Sequence, residues 1–204
     1  MTSPKQKSGI LLVAFGTSIA SAQTAYHTIE KAVRTAYPDM DIFWAYTSVI
    51  VRRKLESEGT TIPSPLSALA LMADKGYTHV AIQSLHVIPG IEYHQLLELA
   101  KAVEGLPKGI KRITVGTPLL FSHNDMLEAT TALAQWSRTF RQDNEAVVLM
   151  GHGTPHQANV YYPALQQYLQ QTDTNLYLGT LDGFPSFNDV EEKLLLANVK
   201  KAWL

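Results

Sequence analysis

Short uninterrupted apolar runs alternate along the chain with longer stretches in which apolar residues recur every three or four positions. "GILLVAFG" (residues 9–16) is apolar on consecutive positions and ends in glycine, which predicts a strand buried on both faces of a parallel sheet. "SAQTAYHTIEKAVRTAY" follows with helical spacing and stops before Pro38. Residues 41–48, "DIFWAYTS", predict a second strand. Residues 64–76 predict a helix with Ser64 as N-cap, Pro65 in its first turn and Gly76 past its end. A third strand is expected over 78–86, a helix over 92–105 and a fourth strand over 111–119. A long helix is expected over 122–140, capped by Ser122 or Asn124. Strand–helix alternation of this kind predicts an α/β fold built on a parallel sheet.

The pattern then restarts. "VVLMGHGTP" resembles "LLVAFGTS"; with Gly16-Thr17 set against Gly153-Thr154, Phe15 falls on His152. "IFWAYTS" has a counterpart in "LYLGTLD" (residues 176–182), and "PLSALALMADKG" in "SFNDVEEKLLLANV". The strand "THVAIQSLH" has its counterpart in "VKKAWL". Two weakly similar halves predict two Rossmann-like α/β domains whose parallel sheets face a cleft. The first spans residues 1–121; residues 122–204 hold a linking helix and the first part of the second. A second half as long as the first would run roughly eighty residues past Leu204, so the second domain is expected to be incomplete. The alternative is a natural short form with its last strand exposed at a sheet edge.

Composition narrows the chemistry. The 204 residues are 46% hydrophobic and 17% charged, as expected of a globular protein with a substantial core. The formal net charge of −1 gives no global reason to expect nucleic acid or an anionic membrane as partner. No apolar stretch approaches the length of a membrane span. The polar start "MTSPKQKSGI" lacks the apolar core of a secretory signal, so the chain reads as cytoplasmic; a periplasmic form stripped of its signal would look the same. The absence of cysteine excludes disulfides, thiol catalysis and Cys-type zinc or iron–sulfur sites. Any metal must be held by His, Asp or Glu, ligands that suit divalent cobalt, nickel, iron or zinc.

"MGHGTPH" (residues 150–156) is where chemistry concentrates. It lacks the lysine of a phosphate-binding P-loop and the third glycine of a dinucleotide fingerprint. One reading makes Gly16 and Gly153 mere allowances for tight turns and His152 a hydrogen-bonded turn residue. Against it, His152 ends a predicted parallel strand, where open α/β sheets bind ligands. Its repeat partner is the apolar Phe15, so the fold does not demand histidine there. Asp182 ends the next strand of the same half. A histidine and a carboxylate on neighbouring strand ends form half of a metal site, or a base with its orienting partner. A third ligand would have to come from another strand end; in the first half the third strand ends at His86.

"LLVAFGTS", "WAYTS" with "RKL", "GYTHVAIQSLHVIPG", "GTPLL" with "SHND", and "VVLMGHGTPH", in this order, resemble the anaerobic cobaltochelatase family, CbiK. "GTPHQANVYYPALQQYL" and "GTLDGFPSF" resemble the forms of sulfate-reducing bacteria more closely. The resemblance covers essentially the whole chain. It implies the chelatase fold, two α/β domains with a tetrapyrrole between them, and insertion of Co²⁺ into sirohydrochlorin during oxygen-independent cobalamin synthesis. It implies a metal site of a His, a Glu and a second His. His152 matches the first, and Asp182 stands at the Glu position, keeping the charge and shortening the reach by one methylene. The second His belongs to a "GDHA"-like segment after the strand begun by "VKKAWL", and is not among the 204 residues.

On this resemblance His152 is the catalytic residue, metal ligand and proton acceptor together, and Asp182 the second ligand. Phe15, Thr17, Ser18, Leu85 and His86 are expected to face the tetrapyrrole; the alternative for each is packing in a βα turn. Arg53 and Lys54 match the family's "RKL" and would meet the ring's carboxylates, or else form a solvated helix face. His94 matches the place where periplasmic relatives of sulfate reducers bind haem between subunits. It is therefore a candidate haem ligand in a homo-oligomer, or an ordinary exposed helical histidine. Fe²⁺ and Ni²⁺ fit the ligand types as well as Co²⁺ does. Two other functions share these features: a tetrapyrrole or metal carrier without turnover, and a ferrochelatase acting on sirohydrochlorin or a related porphyrin.

Overall fold

The computed structural model describes residues 6–204. Residues 1–5, part of the polar start and of the first predicted domain, lie outside the described residues. In chain order the elements are β1 (Ser8–Ala14), α1 (Ala20–Ala36), β2 (Asp41–Tyr46), α2 (Val49–Ser57), α3 (Pro65–Asp74), β3 (His79–Ser84) and α4 (Ile91–Val103). They continue with β4 (Arg112–Gly116), α5 (His123–Ser137), β5 (Ala146–Gly153), α6 (Tyr161–Thr172), β6 (Leu176–Asp182), α7 (Phe187–Leu196) and β7 (Ala202–Trp203). A single 3₁₀ turn, Gln157–Val160, leads into α6.

The chain divides into two compact units. One ends at Val87 and resumes over Ile91–Pro118; the other joins Ile88–Gly90 to Leu119–Leu204. The first is built on a four-stranded parallel sheet of order β2-β1-β3-β4. The central β1 is buried from Gly9 to Ala14, as its unbroken apolar run requires. Leu11, Val13, Leu69, Met72, Ile82, Leu96 and Ile110 form the main core. β3 is different: its residues alternate, with Ala81 and Gln83 exposed between buried Val80, Ile82 and Ser84. The second unit has a three-stranded parallel sheet of order β6-β5-β7. Its core gathers Leu120, Met126, Val147, Leu165, Leu169, Leu176 and Leu178.

Capping residues explain where several elements begin and end. Ser64 accepts the Ser67 N–H at 3.2 Å and Pro65 opens α3, as its sequence predicts. β2 stops at Tyr46, short of the expected Ser48, because the Ser48 side chain turns to accept the Val51 N–H and caps α2. At α5 the cap is Ser122 and not Asn124: Ser122 accepts the Asp125 N–H, and the Asp125 carboxylate accepts the Ser122 N–H at 2.7 Å. His123 takes no part in that cap. Its Nδ1 lies 2.6 Å from the Tyr168 hydroxyl on α6.

Two ionic clusters tie the second unit together. The nearly buried Asp173 accepts from both Arg141 and Arg138 at the end of α6. The Arg141 guanidinium also donates to the carbonyls of Gln142 and Glu145, joining the α5 end to the start of β5. Glu145 accepts from Lys201 Nζ at 2.8 Å, from Trp203 Nε1 at 2.7 Å and from the Gln142 N–H at 3.1 Å. These donors, Lys201 first, hold its carboxyl down at about 2. Among the described residues no helix is long and apolar enough to cross a membrane.

Candidate functional site

The same turn follows the central strand of each sheet. In the first unit β1 runs into Phe15 and Gly16, whose φ of +102° suits only glycine. A Cβ at Gly16 would also collide with the Tyr46 ring. Thr17 Oγ1 accepts the Ile19 N–H at 3.1 Å, and the backbone of Gly16 hydrogen-bonds the Tyr26 phenol on α1. In the second unit β5 ends at His152 and Gly153, with φ +81° at the glycine. A Cβ there would collide with the Asp182 backbone. Thr154 Oγ1 accepts the His156 N–H at 3.1 Å, and the backbone of Gly153 hydrogen-bonds the Tyr162 phenol on α6. The weak sequence repeat is thus a repeat of turn chemistry. Phe15 and His152 occupy the same place in it, both exposed, each one residue before the left-handed glycine.

In the second unit His152 and Asp182 lie at the carboxyl rim of adjacent parallel strands. Asp182 pairs with Gly153, so His152 is its diagonal neighbour. Both are exposed. In a regular ladder the pleat would send two such residues to opposite faces. His152 stands one rung before the end of the ladder, which closes on the left-handed Gly153 paired with Asp182. The Asp182 turn is held from two sides. Thr180 donates its N–H and its hydroxyl to the Pro185 carbonyl at 2.7 and 2.8 Å. Asn159 Nδ2 donates to the Phe184 carbonyl at 3.1 Å. His156 caps the 3₁₀ turn, its Nδ1 accepting the Ala158 N–H at 3.1 Å. Among the described residues no group of three or more His, Asp or Glu side chains is gathered for a metal ion.

In the first unit the strand ends bring together Phe15, Thr17, Ser18, Leu85 and His86 around β1 and β3. Leu85 N–H bonds Val13 O at 2.8 Å, and Ser48 N–H bonds Phe15 O at 3.1 Å. His86 is half-buried, with Nδ1 2.9 Å from Ser84 Oγ and Nε2 3.5 Å from Thr47 Oγ1. Burial pushes the His86 imidazole below its ordinary value, and the Glu92 carboxylate pulls the other way more weakly. Arg53 and Lys54 are exposed on α2. Their neighbour Arg52 is the partly buried one, and its buried Nε has no hydrogen-bond partner among the described residues. His94 is exposed in the first turn of α4, its ring edge-on to Tyr93 at 5.9 Å.

Sequence reasoning passed over several exposed apolar residues beside these turns. In the second unit Met150, Leu181 and Phe184 are each more than half exposed beside His152 and Asp182; in the first, Ile19 and Val87 are. Pattern alone gives them away only weakly, because a run that ends a buried strand reads as core.

A family profile described as cobalt chelatase (CbiK) matches residues 8–204. The chain belongs to the CbiK cobalt chelatase family. It is 38% identical over 201 residues to the sirohydrochlorin cobaltochelatase CbiKC of Nitratidesulfovibrio vulgaris, covering 98% of this chain and 71% of that protein. It is 36% identical over 190 residues to the sirohydrochlorin cobaltochelatase of Salmonella typhimurium, covering 92% of this chain and 70% of that one. The solved structure of SirB from Bacillus subtilis with Fe³⁺ matches with a TM-score of 0.61 at 16% identity, over 93% of this chain and 71% of that chain. That likeness bears on the fold alone: the α/β chelatase fold that the family resemblance implies. As a CbiK-family member the chain is a metal chelatase.

Proposed function

We propose that this chain inserts Co²⁺ into sirohydrochlorin, the reaction named for its relatives from N. vulgaris and S. typhimurium. The observation that carries the reading is His152, exposed at the carboxyl rim of β5 beside the Asp182 turn, in a chain that matches the CbiK family along nearly its whole length. Insertion needs two pyrrole protons removed and one hydrated divalent ion delivered. A neutral imidazole can ligate the ion and accept a proton. In this proposal His152 ligates the ion first and, once the metal has passed to the ring, its freed nitrogen accepts one pyrrole proton, the other leaving to water. Asp182 neutralises part of the ion's charge as its water is stripped; its shorter reach relative to glutamate makes its placement critical.

Phe15, Thr17, Ser18, Leu85 and His86 contact the ring in this reading, joined by the exposed Met150, Leu181 and Phe184. Arg53 meets the peripheral carboxylates of the acidic substrate. Binding energy from these remote contacts distorts the ring so that its nitrogens turn towards the arriving metal. Fe²⁺ and Ni²⁺ share the ligand preferences of Co²⁺, so metal choice reflects supply as well as the site. We also propose His94 as a haem ligand, on its exposed position at the start of α4. Haem titration should then give a Soret shift that His94→Ala abolishes; an unchanged spectrum in the variant rejects that assignment.

Anaerobic insertion assays with sirohydrochlorin and with protoporphyrin, each offered Co²⁺, Fe²⁺ or Ni²⁺, test the main reading. Faster turnover of the many-carboxylate ring is expected. Preference for protoporphyrin would make the chain a ferrochelatase-type enzyme, and tight ring binding with no rate above background would make it a carrier.

A further inference from the structure

The two residues proposed to handle the metal are held by a single short segment. Asn159 lies in the 3₁₀ turn, and Tyr162 stands three residues on, in the first turn of α6. Asn159 spends its Nδ2 on the carbonyl of Phe184, within the turn that follows Asp182. Its Oδ1 is buried, has no hydrogen-bond partner among the described residues, and occupies the space a Cβ at Gly183 would need. Tyr162 works on the other strand. Its ring lies where a Cβ at Gly151 would need to go, 2.8 Å from that position, and its phenol meets the backbone of Gly153. His152 sits between those two glycines.

We infer that Asn159 and Tyr162 are positioning residues that together set the separation and aim of His152 and Asp182, an inference that rests on the metal-handling role proposed for that pair. Register supplies the physical need. Asp182 is paired with Gly153 and not with His152, so strand alternation does not aim the two side chains at one point. Something outside the ladder must do it, and this segment contacts both turns. Leaving a carbonyl oxygen buried and unpartnered at Asn159 is a cost that simple folding would avoid. The amide is turned so that its donor reaches the Asp182 turn instead. Residues that orient metal ligands change metal affinity about 10–100-fold when removed, without touching the metal.

The test is paramagnetic broadening of the His152 ring signals by Co²⁺ alone, followed by NMR on the whole chain. His152 is assigned by comparison with His152→Ala. Tyr162→Phe removes only the hydroxyl, and Asn159→Ala removes the amide. Each variant is expected to need about tenfold more Co²⁺ to broaden His152 to the same degree. The other histidine signals should stay in place and sirohydrochlorin affinity should stay within about twofold, whereas loss of folding would move all of these together. If one variant unfolds, the other still decides. Wild-type broadening with both variants titrating like wild type overturns the positioning role alone. No broadening of His152 in the wild-type chain overturns the metal-handling reading, and this inference with it.

Discussion

At the residue scale the account turns on a few side chains and on the glycine that separates two of them. His152→Ala should lower the rate of Co²⁺ insertion by about 10²–10⁴-fold, measured anaerobically from the absorbance of the ring, because it removes the group assigned to proton transfer. Ring binding should persist. Gly153→Ala should destabilise the second unit by about 1–3 kcal/mol in thermal unfolding, since the position is left-handed and faces the Asp182 backbone. His86 carries a pH signature. Its folded value is lowered by burial, so the folded chain binds its proton less readily than the unfolded chain does. Stability should therefore fall as pH drops below the ordinary histidine value, and His86→Gln should flatten that part of the stability–pH curve. An unchanged slope would show that another group sets it.

At the scale of elements, capping and strand attachment decide what the chain builds. The hydrophobic pattern already carries the two sets of strands and the repeat of the glycine turn, because burial on both faces forces continuous apolar runs. Boundaries are less legible. Ser48 reads as part of a strand until its side chain caps α2, and only the reciprocal bonds of Ser122 and Asp125 decide between Ser122 and Asn124. His152 stands out in the sequence because histidine replaces an apolar repeat partner, and Asp182 because a carboxylate ends the next strand of the same half. Asn159 and Tyr162 do not, since their contacts depend on how the 3₁₀ turn meets two loops distant in sequence. The attachment of β7 gives a prediction of its own. Glu145 holds Lys201 and Trp203, and its folded value of about 2 lies well below that of an unfolded glutamate. Its contribution is complete above the unfolded value and is lost as pH falls towards 2. Trp203 fluorescence should change over that window, and Glu145→Gln should show the changed signal already at neutral pH. Likewise Asp173→Ala should cost about 3–5 kcal/mol, because it strands the Arg141 guanidinium, 3% exposed, without its partner.

At the scale of the molecule, two units repeat one device: a parallel strand, a left-handed glycine, a threonine turn and a tyrosine that bonds the glycine backbone. One copy presents phenylalanine ahead of that glycine and the other histidine. The division of labour proposed for the chelatase follows from that difference: ring contact at Phe15, metal and proton handling at His152. The measurement that reaches this claim most directly is anaerobic Co²⁺ insertion into sirohydrochlorin by this chain, by Phe15→Ala and by His152→Ala, each over a range of ring concentrations. The account predicts that Phe15→Ala raises the KM for the ring and that His152→Ala lowers kcat with ring affinity kept. A His152→Ala chain that turns over like wild type would contradict it.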